Sequence, residues 1–268
     1  MKQRILYGML AGTLFIGALL AGGYWFTTLI AMMAIMGYRE FIRLNQLPTM
    51  NVLAIVGYAV LLYLVFPWGK LWPSLEPEYS IVSWLYLLFL LLCTVFTHNR
   101  IHIETAAIYF LSFLYITFGF QYMAETIWME NGQFWALLIF SMIWASDSGA
   151  YFAGVAMGKT PLMPRISPKK TIEGSIGGIV LAVGVGMVYA TVKPDLLSYL
   201  DSVFLSIAIA VLAQLGDLIQ SAYKRFRNIK DSGTFLPGHG GILDRTDSWI
   251  IVFPFMHLIF FYSGWLGA

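Results

Sequence analysis

Nine apolar stretches, each about as long as a membrane-crossing helix, account for most of this chain. They run approximately over residues 5–22, 24–41, 51–67, 80–97, 104–123, 133–153, 172–191, 200–222 and 248–266. A helix needs roughly 17 to 25 mostly apolar residues to cross the hydrocarbon core of a bilayer, which is about 30 Å thick. Hydrophobic residues make up 59% of the chain and charged residues only 11%, so polar side chains are too few to cover a water-facing surface. The sequence therefore predicts an all-α fold, a polytopic transmembrane helical bundle of about nine spans.

The distribution of Lys and Arg predicts how these spans are oriented, because basic loops are retained on the cytoplasmic side. With the N-terminus inside and the C-terminus outside, fourteen of the sixteen basic residues lie in inner segments, and only Lys70 and Lys193 lie in outer ones. This N-in, C-out arrangement places the loops at 158–171 and 223–247 on the same cytoplasmic face. The N-terminal MKQR and its apolar run resemble a signal peptide, and we interpret them as an uncleaved first span.

No polar linker separates off a soluble domain. We therefore expect one integral membrane domain over residues 1–268, with N-terminal helices in 1–130 and the helices and cytoplasmic loops that carry the chemistry in 131–268. The formal net charge of +2 argues against a general nucleic-acid binder, which would carry a basic stripe on a soluble face.

The predicted last cytoplasmic loop is rich in charge for so apolar a chain: it reads SAYKRFRNIKDSGTFLPGHGGILDRTD over residues 221–247 and holds eight of the thirty charged residues. Asp217, Ser221 and Lys224 are spaced to share one helical face, which indicates either a polar cleft or an internal Asp–Lys ion pair that orients helices. The glycines around His239 predict a tight turn with positive φ, whose N–H groups suit an anion.

Asp244 and Asp247 follow this turn at the start of the ninth span. Two carboxylates three residues apart repel each other unless a cation lies between them, and Mg²⁺ prefers such oxygen ligands while leaving positions for substrate phosphates. We therefore predict that this pair of carboxylates binds a metal ion. Asp247 as a plain helix cap is the alternative.

A second polar region joins the sixth and seventh spans. Asp147 lies inside an apolar run, where a carboxylate is costly unless it faces water, a cation or a partner; a purely structural hydrogen-bonding role is the alternative. The loop after it brings Lys169 and Lys170 next to a helix that Thr171 is positioned to cap, which favours anion binding, although ordinary positive-inside anchoring to acidic lipids is also possible. Small residues at 149, 153 and 154 and at 174, 177 and 178 allow another helix or a ligand to approach closely.

Carboxylates, basic residues and a glycine turn at one membrane face indicate phosphate chemistry at the boundary between lipid and water. Neither composition nor spacing identifies the nucleotide or the lipid.

The C-terminal half resembles the phosphatidate cytidylyltransferase family, the CDP-diacylglycerol synthases of bacteria. The residues that carry this resemblance are Ser221, Lys224, Arg225, Lys230, Asp231, Gly233, Leu236, Pro237, His239, Gly240, Gly241, Asp244, Arg245 and Asp247, together with a block from Asp147 through Lys159 to Gly174. Tyr223 stands where the family more often has an aliphatic residue or Phe. The N-terminal half is similar only in hydropathy.

The resemblance implies that CTP and phosphatidic acid react to give CDP-diacylglycerol and pyrophosphate, with Mg²⁺ and a monovalent cation such as K⁺, in a homodimer of the bacterial inner (cytoplasmic) membrane. It implies catalytic roles for Asp217, Lys224, Asp244 and Asp247, of which the three aspartates would hold the metal. It implies substrate binding by Asp147, Lys169, Lys170, Ser221, Arg225, Lys230, Asp231, His239, Gly240, Gly241 and Arg245.

Two other functions fit parts of the pattern. A related CTP-dependent lipid enzyme, such as a polyprenol kinase or an ether-lipid cytidylyltransferase, would need the same kind of phosphate site. An ion-coupled transporter would also carry intramembrane aspartates, but its polar residues should extend through both leaflets, and here the outer loops have few.

Overall fold

The computed structural model describes residues 2–229, 231–233 and 240–263, with side chains from residue 8 to residue 262. Its helices are α1 (Lys2–Ala21), α2 (Gly23–Leu44), α3 (Val52–Val65), the short α4 (Trp68–Leu71), a 3-10 turn (Pro73–Leu75), α5 (Tyr79–Phe96), α6 (Ile103–Thr126), α7 (Gly132–Met157), α8 (Ile172–Val192), α9 (Tyr199–Phe226) and α10 (Leu243–Ser263). Each of the nine predicted spans falls on one of these helices. The last one begins five residues earlier than expected, so it includes Asp244 and Asp247.

Within the part of the chain that the structure describes, five helices, α5 to α9, are long and apolar enough to cross a membrane. Shorter apolar segments lie at Gly8–Ala21 and in α3. The fold class is therefore that of a mainly α-helical membrane protein. The number of spans and their orientation remain predictions.

A short antiparallel hairpin interrupts the helical pattern between α7 and α8. Its strands are β1 (Pro161–Met163) and β2 (Ser167–Thr171), in which Pro161 pairs with Thr171 and Met163 with Ser167. The all-α prediction omitted it, because strands of three and five residues with a proline in each give no alternating apolar pattern. The hairpin is important for the site, since β2 carries Lys169 and Lys170.

The chain divides into two compact units. The first contains residues 1–129 and 231–245, and the second contains residues 130–230 and 246–268. The boundary near residue 130 is where the sequence separated the N-terminal helices from the rest. The segment 231–245, however, belongs with the N-terminal helices, and the division between the units falls inside α10.

Polar contacts within an aromatic core hold the first unit together. The hydroxyl groups of Tyr38 in α2 and Tyr86 in α5 lie 2.9 Å apart, and the Tyr86 hydroxyl donates to the Leu53 carbonyl at 3.1 Å. Asn51 caps α3 by accepting a hydrogen bond from the Ala54 N–H at 2.9 Å, which satisfies a backbone donor at the helix start. Tyr38 and Tyr86 are both almost completely buried.

Backbone-to-backbone packing of α7 against α8 organises the second unit. A Cβ added at Gly149 would lie 2.5 Å from the Gly177 carbonyl oxygen, and one at Gly174 would lie 2.8 Å from the Ala150 carbonyl oxygen. Larger side chains would therefore force the two helices apart. This confirms the prediction that the small residues allow a close helix approach.

Candidate active site

The hairpin lysine Lys170 and the α9 carboxylate Asp217 form an ion pair at the centre of the candidate site. Their Nζ and Oδ2 atoms lie 2.5 Å apart. The hydroxyl of Ser221, one turn further along α9, donates to the other oxygen of Asp217 at 3.1 Å. The spacing of Asp217 and Lys224 predicted a polar cleft or an ion pair between these two residues; the structure shows that Asp217 is paired with Lys170 from β2.

Two further carboxylates of the second unit interact with this pair. Asp147 in α7 interacts electrostatically with Asp217 and with Lys170. Asp247 in α10 interacts with Asp217, Asp147 and Lys224, and its Oδ1 accepts a hydrogen bond from the Ser248 N–H at 2.8 Å. Neighbouring carboxylates favour nearby positive charge, and in this unit Lys170 interacts with Asp217 and Asp147 while Lys224 interacts with Asp247.

A close contact between α9 and α10 fixes the positions of Asp217 and Asp247. A Cβ on Gly216 would lie 2.5 Å from the Asp247 carbonyl oxygen and 2.9 Å from the Ser248 Cα. The Ser248 hydroxyl donates to the Ala213 carbonyl at 3.0 Å. Because Gly216 precedes Asp217 directly, this contact sets how closely the backbones that carry the two acidic residues approach each other.

The hairpin is tied to helices on both sides, and these contacts position Lys170. Arg225 in the last turn of α9 donates from Nε to the Ile166 carbonyl at 3.2 Å. Glu173 in the first turn of α8 accepts from the N–H of Lys159 at 3.1 Å and from the hydroxyl of Thr160 at 2.9 Å. Thr171 caps α8 by accepting from the Gly174 N–H at 3.1 Å, as the sequence predicted.

The segment 231–245 of the first unit surrounds the Asp244 carboxylate with backbone donors. Asp244 Oδ2 accepts from the Ser232 N–H at 2.8 Å and from the Gly241 N–H at 3.0 Å. Gly240 has a φ of 84°, which confirms the predicted positive φ in this turn. The sequence predicted that N–H groups of this turn would suit a bound anion. In the structure the Gly241 N–H donates to the Asp244 carboxylate instead.

Glu40 is a buried carboxylate that the sequence reasoning missed. It lies near the end of α2 with 9% of its surface exposed. Its Oε1 accepts from the Ile242 N–H at 3.0 Å, and its Oε2 accepts from the Leu243 N–H at 3.0 Å and from the Ser232 hydroxyl at 3.3 Å. The available signal is a single acidic residue at the end of the second apolar run, between Arg39 and Arg43, where it looks like one more charge at the end of a span.

The predicted site residues are divided between the two units. The second unit contains Asp147, Lys169, Lys170, Asp217, Ser221, Lys224, Arg225 and Asp247, and the first contains Asp231, Gly240, Gly241, Asp244 and Arg245. Lys230 and His239 lie outside the described residues. The Lys169 side chain is exposed, whereas that of Lys170 is half-buried.

Within the described ranges, no three His, Cys, Asp or Glu residues are grouped so that they could hold a metal ion. The predicted metal ligands Asp217 and Asp247 belong to one unit and Asp244 to the other. The metal site therefore stays a prediction.

Comparisons with known proteins agree on one family. A model of the cytidylyltransferase family matches residues 2–263. A protein of Bacillus subtilis named phosphatidate cytidylyltransferase is 36% identical over 270 residues, which cover 97% of each chain. Proteins of the same name from Staphylococcus saprophyticus and Staphylococcus aureus are 33% and 32% identical, with 97% and 98% of this chain and 98% and 100% of theirs covered.

Proposed function

Since the chain belongs to the cytidylyltransferase family, we propose that it transfers the cytidylyl group of CTP to phosphatidic acid, forming CDP-diacylglycerol and pyrophosphate. The observation that carries this proposal is the Lys170–Asp217 pair, with Asp147, Asp247 and Lys224 within electrostatic range. Charged groups of this kind among apolar helices suit a reaction between a water-soluble triphosphate and a phosphate carried by a lipid.

The proposed reaction is a substitution at phosphorus. An oxygen of the phosphatidate phosphate forms a bond to the α-phosphorus of CTP. The bond from that phosphorus to the oxygen bridging to the β-phosphate breaks, and its electron pair leaves with pyrophosphate. The chain has to hold both phosphates in line and neutralise their charge, since reactions of this type depend mainly on positioning and electrostatic stabilisation.

We assign charge neutralisation to Lys170, Lys224 and Arg225. Lys170 is suited to this role because its ammonium group is a compact charge on a flexible stem, so it can move from Asp217 to a phosphate oxygen when substrate arrives. The Asp217 carboxylate would then become available as an oxygen ligand. The further substrate-binding residues in this proposal are Asp147, Lys169, Ser221, Lys230, Asp231, His239, Gly240, Gly241 and Arg245.

We propose that the reaction requires Mg²⁺, with oxygens of Asp217, Asp244 and Asp247 as its protein ligands. The donor set suits this ion, because Mg²⁺ prefers carboxylate oxygens and keeps positions for substrate phosphates. The mutual repulsion of Asp147, Asp217 and Asp247 also favours a cation. When bound, Mg²⁺ would neutralise charge on the phosphate oxygens, and K⁺ is proposed as an accompanying monovalent cation.

The proposed setting is the cytoplasmic face of the bacterial inner membrane. Nine spans with the N-terminus inside would place the basic loops at that face, and the apolar helices α5 to α9 support membrane embedding. In this setting CTP reaches the site from the cytoplasm and phosphatidic acid reaches it from the bilayer. We further propose that the protein is a homodimer.

Radiolabelled CTP and phosphatidic acid with the purified protein in detergent test this function directly. We expect labelled CDP-diacylglycerol and an equal amount of pyrophosphate, with no need for sealed vesicles. Parallel reactions with a polyprenol and with an archaeal ether lipid test the substrate class. Absence of product from phosphatidic acid, together with release of pyrophosphate or CDP when another lipid acceptor is supplied, would overturn the proposal.

A further inference from the structure

The carboxylate of Glu40 receives hydrogen bonds at the point where the segment 231–245 enters α10. Its two oxygens accept from consecutive backbone N–H groups, those of Ile242 and Leu243, each at 3.0 Å. These groups are among the first N–H groups of a helix, which have no partners within that helix. A carboxylate is well suited to this position because it offers acceptors in two directions and carries negative charge at the helix N-terminus.

Ser232 connects Glu40 to Asp244. The Ser232 hydroxyl donates to Glu40 Oε2 at 3.3 Å, while the Ser232 N–H donates to Asp244 Oδ2 at 2.8 Å. Ser232 is 4% exposed and therefore has little room to change its position. A displacement of the Glu40 carboxylate would therefore move the residue that holds Asp244 from one side.

The glycines of the segment leave space for the Glu40 side chain. A Cβ on Gly233 would lie 2.7 Å from Glu40 Oε1, and a Cβ on Gly241 would lie 2.5 Å from the Ser232 hydroxyl oxygen and also collide with Glu40 Oε2. Gly241 is also the second backbone donor to Asp244, at 3.0 Å. Gly233, Gly241 and the residue that holds Asp244 are thus all fitted around one carboxylate of α2.

We propose that Glu40 is a positioning residue of the cytidylyltransferase reaction: it fixes Ser232 and the start of α10 so that Asp244 and the Gly240–Gly241 turn are presented to CTP. This inference rests on the proposed function, because it assigns the nucleotide to that turn. It goes further by giving the N-terminal helices, in which the sequence showed no site residue, a specific part in the reaction.

The decisive variant is Glu40→Gln in the full-length protein. Glutamine has nearly the same shape but replaces one oxygen with an NH₂ group, so one of the two backbone donors would face another donor. We expect kcat/KM for CTP to fall about tenfold or more, because a buried donor is left unsatisfied and the segment shifts. The KM for phosphatidic acid should change less than twofold. Ser232→Ala removes only the weakest of the three contacts and should give a smaller loss in the same direction.

Hydrogen exchange provides a readout that does not depend on activity. We expect the amides of residues 240–245 to exchange faster in Glu40→Gln, while the midpoint of thermal unfolding stays within a few degrees of the wild type. Glu104→Gln is the matched control, because Glu104 is exposed in the first turn of α6 in the same unit. It should change neither exchange nor kinetics.

The possible outcomes separate this inference from the proposed function. Unchanged exchange in Glu40→Gln would overturn the inference, as would faster exchange with wild-type kcat/KM per folded molecule. If Glu40→Gln cannot be obtained folded, Ser232→Ala decides, and wild-type kinetics and exchange in that variant would also overturn it. If the wild-type protein makes no CDP-diacylglycerol, the proposed function fails and so does this role in catalysis, whereas the exchange data still show whether Glu40 holds the segment.

Discussion

Replacing Gly216 with Ala should separate the two helices that carry Asp217 and Asp247. The added Cβ would lie 2.5 Å from the Asp247 carbonyl oxygen, whereas ordinary contact begins at 3.4 Å, so the backbones must move apart by ~0.9 Å. The obstructing atoms belong to the α10 backbone, including the Ser248 Cα at 2.9 Å. A change of side-chain rotamer therefore cannot relieve the collision.

The expected loss of activity follows from this displacement. Misplacement of reacting groups by about 1 Å can reduce turnover roughly a hundredfold, and overpacking typically costs about 1–3 kcal/mol of stability. We therefore expect Gly216→Ala to reduce kcat about a hundredfold. The unfolding midpoint should fall by several degrees without loss of the folded protein.

The assay compares formation of labelled CDP-diacylglycerol per folded molecule in Gly216→Ala and Gly184→Ala. Gly184 is the matched control because it also lies in a helix, α8, but its added Cβ would meet no heavy atom within 4 Å. Gly184→Ala should keep wild-type turnover and gain slightly in stability, since alanine is a better helix former. Turnover of Gly216→Ala above half the wild-type rate, with an unchanged unfolding midpoint, would refute the reasoning.

Three further predictions concern the basic hairpin, the metal and the packing of α7 against α8. Lys170→Met should lower kcat about tenfold to a hundredfold, because it removes a positive charge that stabilises the transition state. Lys169→Met, on the exposed side of β2, should lower kcat less, and equal losses in the same CDP-diacylglycerol assay would contradict a special role for Lys170. Chelation of divalent cations should abolish product formation, and added Mg²⁺ should restore it; full turnover in excess chelator would exclude a required divalent ion. Gly149→Ala should lower the unfolding midpoint by several degrees, because the added Cβ would lie 2.5 Å from the Gly177 carbonyl oxygen. Size-exclusion chromatography after heating measures this midpoint, and a value at or above that of the wild type would contradict the close helix contact.

Local sequence patterns were sufficient to predict the helices. Each predicted span relies on a run of apolar residues within about 20 positions, and a run of that length determines helix formation almost independently of the rest of the chain. The cap at Thr171 and the positive φ at Gly240 were predictable for the same reason, since both are properties of one to four neighbouring residues.

Partners distant in sequence could not be predicted in this way. Spacing placed Lys224 on the same helical face as Asp217, but it gave no sign of Lys170, which pairs with Asp217 from a β-hairpin that had not been predicted. Glu40 was missed because nothing in its neighbourhood distinguishes a buried acceptor from a charge at the end of a span. Its role is visible only from its contacts with Ile242 and Leu243.

The contact between Glu40 and the start of α10 also affects the order of events during synthesis. The acceptor and its two backbone donors are separated by 202 and 203 positions in the chain, so at about 5–20 residues per second the ribosome needs roughly 10 to 40 s to produce the second partner after the first. During this interval the Glu40 side chain has to remain without these two backbone donors. Folding around Asp244 is therefore among the last steps in the biogenesis of this protein, and a nascent chain that stops before α10 would insert most of its helices and still lack this part of the site.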